Sequence, residues 1–333
     1  MGYIAGVLGL IAFVVLIAHQ GWSEVYSAID NAGWALLWLL PFHVLPLWLD
    51  AAGWRVLLSP RDPQRRATIG VLFWIAAIRE ASNRLLPLAG IGGDLIGIRL
   101  VRWRGIRGVA AAASVIVEVL LTMVNQCLFV ALGVGLLVMV TVHAGTLGSV
   151  LIAVLVSILL PIALFVLLRH GNVFTRLAAL SKKVLGDDSR LAELMNGPGL
   201  DTEIRALYSR RRRLLVACIW QFVGLLIGSF ESWLGLWLLG YPVTIVEAIA
   251  IEAATQALRN IIFVVPGGLG VQEGGLILFG SLIGLPPDAC IALSLVKRMR
   301  ELVFGVPALI SWHWAETNRL RASWLARETA RNS

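Results

Sequence analysis

The sequence predicts an all-α, polytopic integral membrane protein, and its composition and apolar runs support this fold class. Of 333 residues, 58% are hydrophobic and only 14% are charged, and the mean hydropathy is +0.83. A soluble domain carries about 25% charged residues. Several apolar runs reach the roughly 20 residues that a helix needs to cross the hydrocarbon core of a bilayer. The sequence therefore excludes a soluble globular protein, a disordered chain and a disulfide scaffold.

Six apolar runs are long enough to be full membrane crossings. The first run has no basic segment before it and no small-residue cleavage site, so we interpret it as a retained span and not as a signal peptide. All six belong to a single transmembrane domain that covers residues 1–333. The predicted crossings are 3–19, 34–58, 108–141, 147–168, 214–239 and 288–312.

The charges of the loops predict the orientation of the chain in a bacterial inner membrane. The first loop, 20–33, holds Glu24 and Asp30 and no Lys or Arg, so we place it outside. Arginine-rich loops then alternate with loops that lack Lys and Arg, and the positive-inside rule puts the arginine-rich ones in the cytoplasm. Every loop agrees with both termini being cytoplasmic. The excess of 28 Lys and Arg over 20 Asp and Glu is explained in this way, without a nucleic-acid partner.

Two cytoplasmic segments stand out by composition. In the loop 169–213, apolar residues recur at helical spacing from Phe174 to Leu185. This pattern predicts either a helix that lies on the inner membrane surface or an ordinary solvated connector. The tail 313–333 is basic, as expected for a cytoplasmic terminus.

Two further apolar regions, 67–101 and 245–284, are interrupted by proline and glycine. Each contains a helical run with Arg and Asn, then a proline, three glycines and an acid. The acid follows the proline by seven residues in both regions, which suggests an internal repeat. Proline ends a helix and glycine lets the backbone turn sharply. The predicted hinge residues are Pro87, Gly92, Gly93, Pro266, Gly267, Gly268 and Gly270.

Both interrupted regions are predicted to be re-entrant helical hairpins. The apolar run after Asp94 covers only about 12 Å of helix, and the run after Glu273 covers about 16 Å, so neither spans the bilayer. The loop orientation gives the first hairpin a cytoplasmic mouth and the second an external mouth. Two similar motifs that enter from opposite faces predict an inverted-topology repeat, with a binding site between them near the midplane.

The charged residues within these apolar segments are the candidate site. A charge at membrane depth costs at least ~2.5–3.5 kcal/mol, so it usually faces a cavity. A midplane cluster of arginines that faces half-helix N-termini suits an anionic group such as a phosphate or a carboxylate. Candidate substrate-binding residues are Asn83, Arg84, Arg259, Asn260, Arg298 and Arg300, and candidate charge-pairing or gating residues are Asp94, Glu118, Glu273 and Glu301.

Simpler interpretations of the same charges stay open. Asp94 and Glu273 stand at the start of the returning half-helices, where the helix dipole favours an acid, so each is also a candidate helix cap. The arginines are also candidates for purely structural ion pairs. Examples of such pairs are Arg300 with Glu273 and Arg84 with Glu118.

The sequence carries no recognisable catalytic, metal or cofactor motif. Its five histidines lie near span ends or in loops without metal-ligand spacing, and its three cysteines are scattered among apolar residues. The glycines at 267–270 lack the strand and helix that surround them in a dinucleotide-binding fold. We therefore expect no cofactor and no enzyme activity. A membrane enzyme would need an acid–base pair, for which Glu118 and Glu231 are the candidates.

At both hairpins and in the last span the sequence resembles a known family. Residues 87–99 and 266–275 resemble the flippase-like transmembrane domain of lysylphosphatidylglycerol synthases, which also occurs in free-standing members. Residues 284–287 and 292–302 are similar to the hopanoid-biosynthesis-associated branch, the HpnL type. Two departures stand out: Glu118 is followed by valine where the family has an arginine, and Pro87 is followed by Leu-Ala where the family has Gly-Gly.

The resemblance implies a flippase that moves a lipid with a polar headgroup between the leaflets of the inner membrane by alternating access. A hopanoid or another polyisoprenoid-derived lipid is the implied cargo, and an anionic headgroup is one option. Membrane lipids would be the partners, with hopanoid-biosynthesis enzymes as further candidates. No aminoacyl-transfer domain follows residue 312, so synthase activity is not implied. The alternatives are a membrane enzyme that acts on lipid intermediates and a non-transporting assembly partner.

Overall fold

The computed structural model describes residues 33–86, 92–141, 197–261 and 271–332. Every regular element in these ranges is helical, which confirms the all-α class for this part of the chain. The predicted crossings 3–19 and 147–168 and the segment 174–185 lie outside the described residues. In chain order the helices are α1 Leu39–Leu58, α2 Ile69–Leu85, α3 Gly92–Arg102, α4 Gly108–Thr141, α5 Gly197–Tyr208, α6 Arg211–Leu238, α7 Ile245–Ile261, α8 Val271–Leu282 and α9 Pro287–Asn332.

Two of these helices are long and apolar enough, by length and composition, to cross a membrane. They are Gly108–Leu137 and Arg211–Leu238, and they match the predicted crossings 108–141 and 214–239. The predicted crossings 34–58 and 288–312 form α1, preceded by a 3₁₀ turn at Gly33–Trp38, and the first half of α9. The crossing of the membrane by α1 and α9 stays a prediction, as does the count of six spans. Helix α9 continues without a break to Asn332.

Each interrupted region forms two antiparallel helices that pack against each other. In the first, α2 begins at the N-cap Thr68, whose hydroxyl accepts a hydrogen bond from the amide of Val71. The returning helix α3 lies so close to α2 that a Cβ at Gly93 would be 2.3 Å from the carbonyl oxygen of Arg79. In the second, Thr244 and Glu247 form a capping box at the start of α7. Helix α8 then returns along α7.

The remaining contacts pack the helices outside and between the two interrupted regions against each other. Helices α1 and α6 pack antiparallel, with the missing Cβ of Gly53 allowing a close approach to the backbone of Ala217. Helix α9 packs along α2, and α4 packs along α7. One apolar cluster around Trp54 packs the four helices α1, α2, α3 and α4 together. A second cluster around Leu236 does the same for α6, α7, α8 and α9. Helix α5 covers α4 through a third apolar cluster.

Candidate functional site

A cavity of about 520 Å³, with ionisable and apolar side chains in its wall, lies among the described helices. Every described α-helix except α5 contributes to its wall. Several wall residues are ionisable, although the helices that carry them are largely apolar. The basic wall residues are Arg79, Arg84, Arg259, Lys297 and Arg300, and the acidic ones are Asp50, Glu80, Asp94, Glu118, Glu231, Glu252 and Glu301.

Arg79 of α2 is the most heavily bonded cation of this wall. Its Nη1 donates to both carboxylate oxygens of Glu118, at 2.9 and 2.7 Å. Its Nη2 and Nε donate to Oδ1 of Asp94, at 2.7 and 3.2 Å. The guanidinium also lies 4.8 Å from the ring centroid of Trp54, which is fully buried. Arg79 therefore joins α2 to α3 and α4 and stacks on α1.

Glycines of α3 provide the space in which Arg79 lies. A Cβ at Gly97 would be 2.6 Å from Cδ of Arg79, closer than carbon atoms approach without a shift. The amide of Gly93 donates to Oδ1 of Asn83 at 2.8 Å, which ties the start of α3 to the end of α2. The spacing of the two glycines, four residues apart on one helix face, lets the hairpin legs approach closely.

A second group of charges lies where α2, α6 and α9 meet. Glu301 of α9 lies 3.1 Å from Nη1 of Arg84 on α2. Glu231, a residue of α6 with only 3% of its surface exposed, binds Arg300. One buried oxygen of Glu231 and Nε of Arg300 have no hydrogen-bond partner among the described residues. This group therefore keeps polar atoms that a ligand or water would satisfy.

A third group belongs to the second hairpin and α9. Glu252 of α7 binds Lys297 and accepts a hydrogen bond from Ser232 Oγ at 2.6 Å. Glu273, at the start of α8, accepts from Nε of Arg298 at 2.7 Å. Each hairpin is thus tied to the long helix that follows it by ion pairs that are at least partly buried.

Arg259 of α7 differs from the other cations of the wall. Its Nη1 donates to the neutral amide oxygen of Gln272 at 2.8 Å. No carboxylate of the described residues lies within 4.0 Å of it, whereas Arg79, Arg84, Lys297 and Arg300 each have at least one. Among the described cations of the wall, Arg259 is therefore the one whose charge no acid balances directly.

The structure places most of the predicted site residues at this cavity. Asn83, Arg84, Arg259 and Arg300 line it, as do Asp94, Glu118 and Glu301. Arg298 and its partner Glu273 lie beside it and are not among the lining residues, and Asn260 is exposed. Gly92 and Gly93 form the first turn of α3. The other predicted hinge residues, Pro87, Pro266, Gly267, Gly268 and Gly270, lie outside the described residues.

Both ion pairs that the sequence suggested as examples are wrong in their partners. Arg300 binds Glu231 instead of Glu273, and Arg84 lies next to Glu301 instead of Glu118. The reason is helix packing: α9 turns Arg298 toward α8 and Arg300 toward α6, which a count of depth along the sequence does not show. Likewise Asp94, a candidate charge-pairing residue, binds Arg79, which was not among the candidate arginines.

Six ionisable residues of the wall were not among the candidate site residues of the sequence: His43, Asp50, Arg79, Glu80, Glu252 and Lys297. His43 was assigned to the end of a span, but it is buried and lies 3.3 Å from Glu80. Asp50 lies in the predicted crossing 34–58 and also lines the cavity. The rule that an ionisable residue within a span faces a cavity applies to Asp50 and would have found it.

The family of this chain is known from a comparison with protein-family models. The family model described as the lysylphosphatidylglycerol synthase TM region matches residues 3–308. The chain belongs to this family. No curated protein and no solved structure matches the chain. The match confirms the family resemblance of the sequence and identifies a membrane-spanning domain of a lipid-related family, whereas the assignment to the hopanoid-associated branch stays a prediction.

Proposed function

We propose that this protein is a lipid translocator, a flippase that moves a lipid with a polar headgroup between the leaflets of the bacterial inner membrane. The observation that carries the proposal is the central charged cavity with Arg259 in its wall. Each charge is costly to insert into a membrane, so this many ionisable groups around an open space indicate a function beyond helix packing. A cavity of this kind is suited to a headgroup that must cross the apolar interior.

Arg259 is the residue that we assign to the headgroup. An arginine donates two parallel hydrogen bonds to a phosphate or a carboxylate. Two other arginines of the wall already have acidic partners: Arg84 lies next to Glu301, and Arg300 binds Glu231. A bound anion would therefore meet Arg259 first, while the paired arginines set the polar character of the wall.

The packing of the helices supports an inverted repeat of α1–α4 and α6–α9. The helix before one hairpin, α1, packs antiparallel on the helix before the other, α6. The contact of α4 with α7 has its counterpart in the contact of α9 with α2. In the proposal the two halves rock about this shared centre and open the cavity to one leaflet at a time.

The lengths of the returning helices fit hairpins that enter and leave the membrane on the same side. Helix α3 has 11 residues and α8 has 12. At ~1.5 Å per residue they cover about 17 and 18 Å, well short of the ~30 Å of the hydrocarbon core. In the proposal the first hairpin enters from the cytoplasm and the second from outside, with both termini cytoplasmic.

The proposal assigns no chemistry to the cavity and makes the chain a transporter instead of an enzyme. Both carboxylates that an enzyme would use, Glu118 and Glu231, are bound to arginines. A carboxylate held in this way is a poor general acid or base. For the cargo, we propose a hopanoid or another polyisoprenoid-derived lipid, with hopanoid-biosynthesis enzymes as partners that supply it.

Lipid co-purification tests the proposal. The wild-type protein, the Arg259→Gln variant and a matched Arg61→Gln control are purified, and their bound lipids are compared with the bulk membrane extract by mass spectrometry. Arg61 binds Glu203 outside the cavity. We expect one lipid class to be enriched on the wild type and on the control and lost from Arg259→Gln. In reconstituted vesicles, the wild type and Arg61→Gln should translocate this lipid class, and Arg259→Gln should not.

Three results would count against this function or against the residue assigned to it. Enrichment that is equal on Arg259→Gln and on the wild type would remove Arg259 from the site. The absence of any enriched lipid on the folded wild type would favour the non-transporting assembly partner. A chemically altered lipid that accumulates only with the wild type would favour the membrane enzyme.

A further inference from the structure

One carboxylate of the cavity wall has no cationic partner among the described residues. Asp50 lies in the middle of α1, and its Oδ1 accepts a hydrogen bond from Nε2 of Gln221 at 3.4 Å. The other acids of the wall are each within 4.0 Å of a basic side chain. These pairs are Glu80 with His43, Asp94 and Glu118 with Arg79, Glu231 with Arg300, Glu252 with Lys297, and Glu301 with Arg84.

The groups around Asp50 come from all the helices that surround this part of the cavity. They are Arg79 and Glu80 of α2, Asp94 of α3, Glu118 of α4 and His43 of α1 itself. Helix α6 contributes Gln221 and the thiol of Cys218, whose Sγ lies 2.9 Å from Oδ1 of Asn125. The charged groups of α9 near α1 are Glu301 and Arg300, which bind Arg84 and Glu231.

This corner of the cavity has a surplus of negative charge. The guanidinium of Arg79 faces the three carboxylates of Asp50, Asp94 and Glu118, and it is bonded to the last two. An ionised carboxylate without a partner is expensive to hold at membrane depth. A proton is the smallest ligand that removes this cost, and water in the open cavity can deliver it.

We propose that Asp50 is the proton-carrying group of this protein, so that lipid movement is coupled to a proton gradient. The inference rests on the translocator function proposed above and names its coupling ion. Asp50 takes a proton from cavity water on one side of the membrane, as carboxylate plus hydronium gives carboxylic acid plus water. It returns the proton to water when the cavity opens to the other side.

The bonds of Arg79 link this proton to the position of the first hairpin. With Asp50 protonated, Arg79 keeps the arrangement seen here and holds α3 through Asp94. When Asp50 loses its proton, its carboxylate competes with Asp94 for the same guanidinium. Weakening the bond between Arg79 and Asp94 loosens α3 from α2, which is the movement that would open the cavity on that side.

Vesicles with an imposed pH gradient test this inference. The full chain is reconstituted in phosphatidylethanolamine and phosphatidylglycerol vesicles with a trace of tail-labelled fluorescent phosphatidylglycerol, and a quencher outside the vesicles reports the label in the outer leaflet. With one proton per lipid, a gradient of one pH unit supports about a tenfold difference between leaflets. We expect this asymmetry for the wild type and an even distribution for Asp50→Asn, which keeps the shape of the side chain.

Controls separate a coupling defect from a folding defect. Asp50→Glu retains a titratable group and should respond to the gradient, and Glu203→Gln, which removes a carboxylate outside the cavity, should behave as the wild type. A sodium gradient at equal pH should leave the label evenly distributed. Asymmetry that persists in Asp50→Asn, or that follows sodium, would overturn the inference.

A failure of lipid translocation and a failure of proton coupling would give different results. A wild type that moves the label quickly but distributes it evenly under the pH gradient would be a translocator without proton coupling. If the wild type does not move the label, infrared spectroscopy of the purified protein decides the state of Asp50. A protonated carboxyl band that is present in the wild type and lost in Asp50→Asn supports the inference, and its absence from the wild type overturns it.

Discussion

The guanidinium of Arg79 shows how this protein keeps charges inside an apolar helix bundle. Four hydrogen bonds to two carboxylates and a stacked indole replace the water that the cation loses. Glu118 itself is only 2% exposed. Removing one partner of a buried pair is far more costly than replacing the whole pair, because it leaves an uncompensated charge.

Glu118→Gln should therefore destabilise the protein strongly. We expect a loss of about 3 kcal/mol in unfolding free energy, the lower end for breaking a buried pair, because Asp94 still binds the guanidinium. Thermal unfolding of the purified protein in detergent measures the change. The partly exposed pair of Arg61 and Glu203 offers a control, and Glu203→Gln should cost no more than about 1 kcal/mol. An equal loss of unfolding free energy in Glu118→Gln and Glu203→Gln would show that the buried charge of Glu118 adds no extra stability.

At the scale of the elements, the two hairpins depend on close contact between their legs. In the first hairpin the contact is made by glycines, which bring α3 onto the backbone of α2. In the second, Gly275 of α8 lies against Thr255 and Leu258 of α7. Short helices of 11 and 12 residues have little stability alone, so the packing of each leg on its neighbour holds it in place.

Gly93→Ala should separate the legs of the first hairpin. The new Cβ would lie 2.3 Å from the carbonyl oxygen of Arg79, a backbone atom that cannot move without shifting the helix. We expect a loss of about 1–3 kcal/mol, as for other overpacked sites. Thermal unfolding with Gly274→Ala as the control measures it, since no described atom lies within 4 Å of a Cβ at Gly274. A smaller effect at Gly93 than at Gly274 would contradict this packing.

At the scale of the whole molecule, the interface of α2 and α9 is one of the interfaces between the two proposed halves. It contains the pair of Arg84 with Glu301 and a hydrogen bond of 2.9 Å from Trp74 Nε1 to Ser311 Oγ. If the halves rock during transport, this interface must open. A covalent bond across it would hold the protein in one state.

The double variant Ala81→Cys/Gly305→Cys tests the movement. A Cβ at Gly305 would lie 3.4 Å from the Cβ of Ala81, close to the separation found in disulfides. In a background with the three native cysteines replaced, oxidation should abolish lipid translocation in vesicles and reduction should restore it. Each single variant controls for the substitution itself. Undiminished translocation in the fully oxidised protein would exclude rocking at this interface.

The orientation of the whole chain is open to a simple test. The positive-inside rule predicts that both termini are cytoplasmic. Fusions of a reporter that is active only in the cytoplasm should be active at either end, and a fusion in the loop 240–243 should be inactive. Activity at that loop would invert the topology and, with it, the mouths of the two hairpins.

Local patterns in the sequence predicted much of the fold. Apolar runs of sufficient length predicted α4 and α6, and proline with glycine marked where each hairpin breaks, because hydropathy and backbone freedom are properties of neighbouring residues. The extension of α9 to Asn332 was not predicted, since the basic tail has no apolar pattern to show it. The sequence supplied a set of candidate charges, but both pairings that it suggested as examples were wrong.

The sequence by itself determined that this is a helical membrane protein of the lysylphosphatidylglycerol synthase TM region family, with charges placed inside apolar helices. Only the tertiary structure decided which charges meet. Arg84 pairs with Glu301, which lies more than 200 residues away in the sequence. Arg259 and Asp50 have neutral hydrogen-bond partners and no oppositely charged partner among the described residues. The physical reason is that the cost of a buried charge depends on neighbours that helix packing supplies, and those neighbours are distant in sequence.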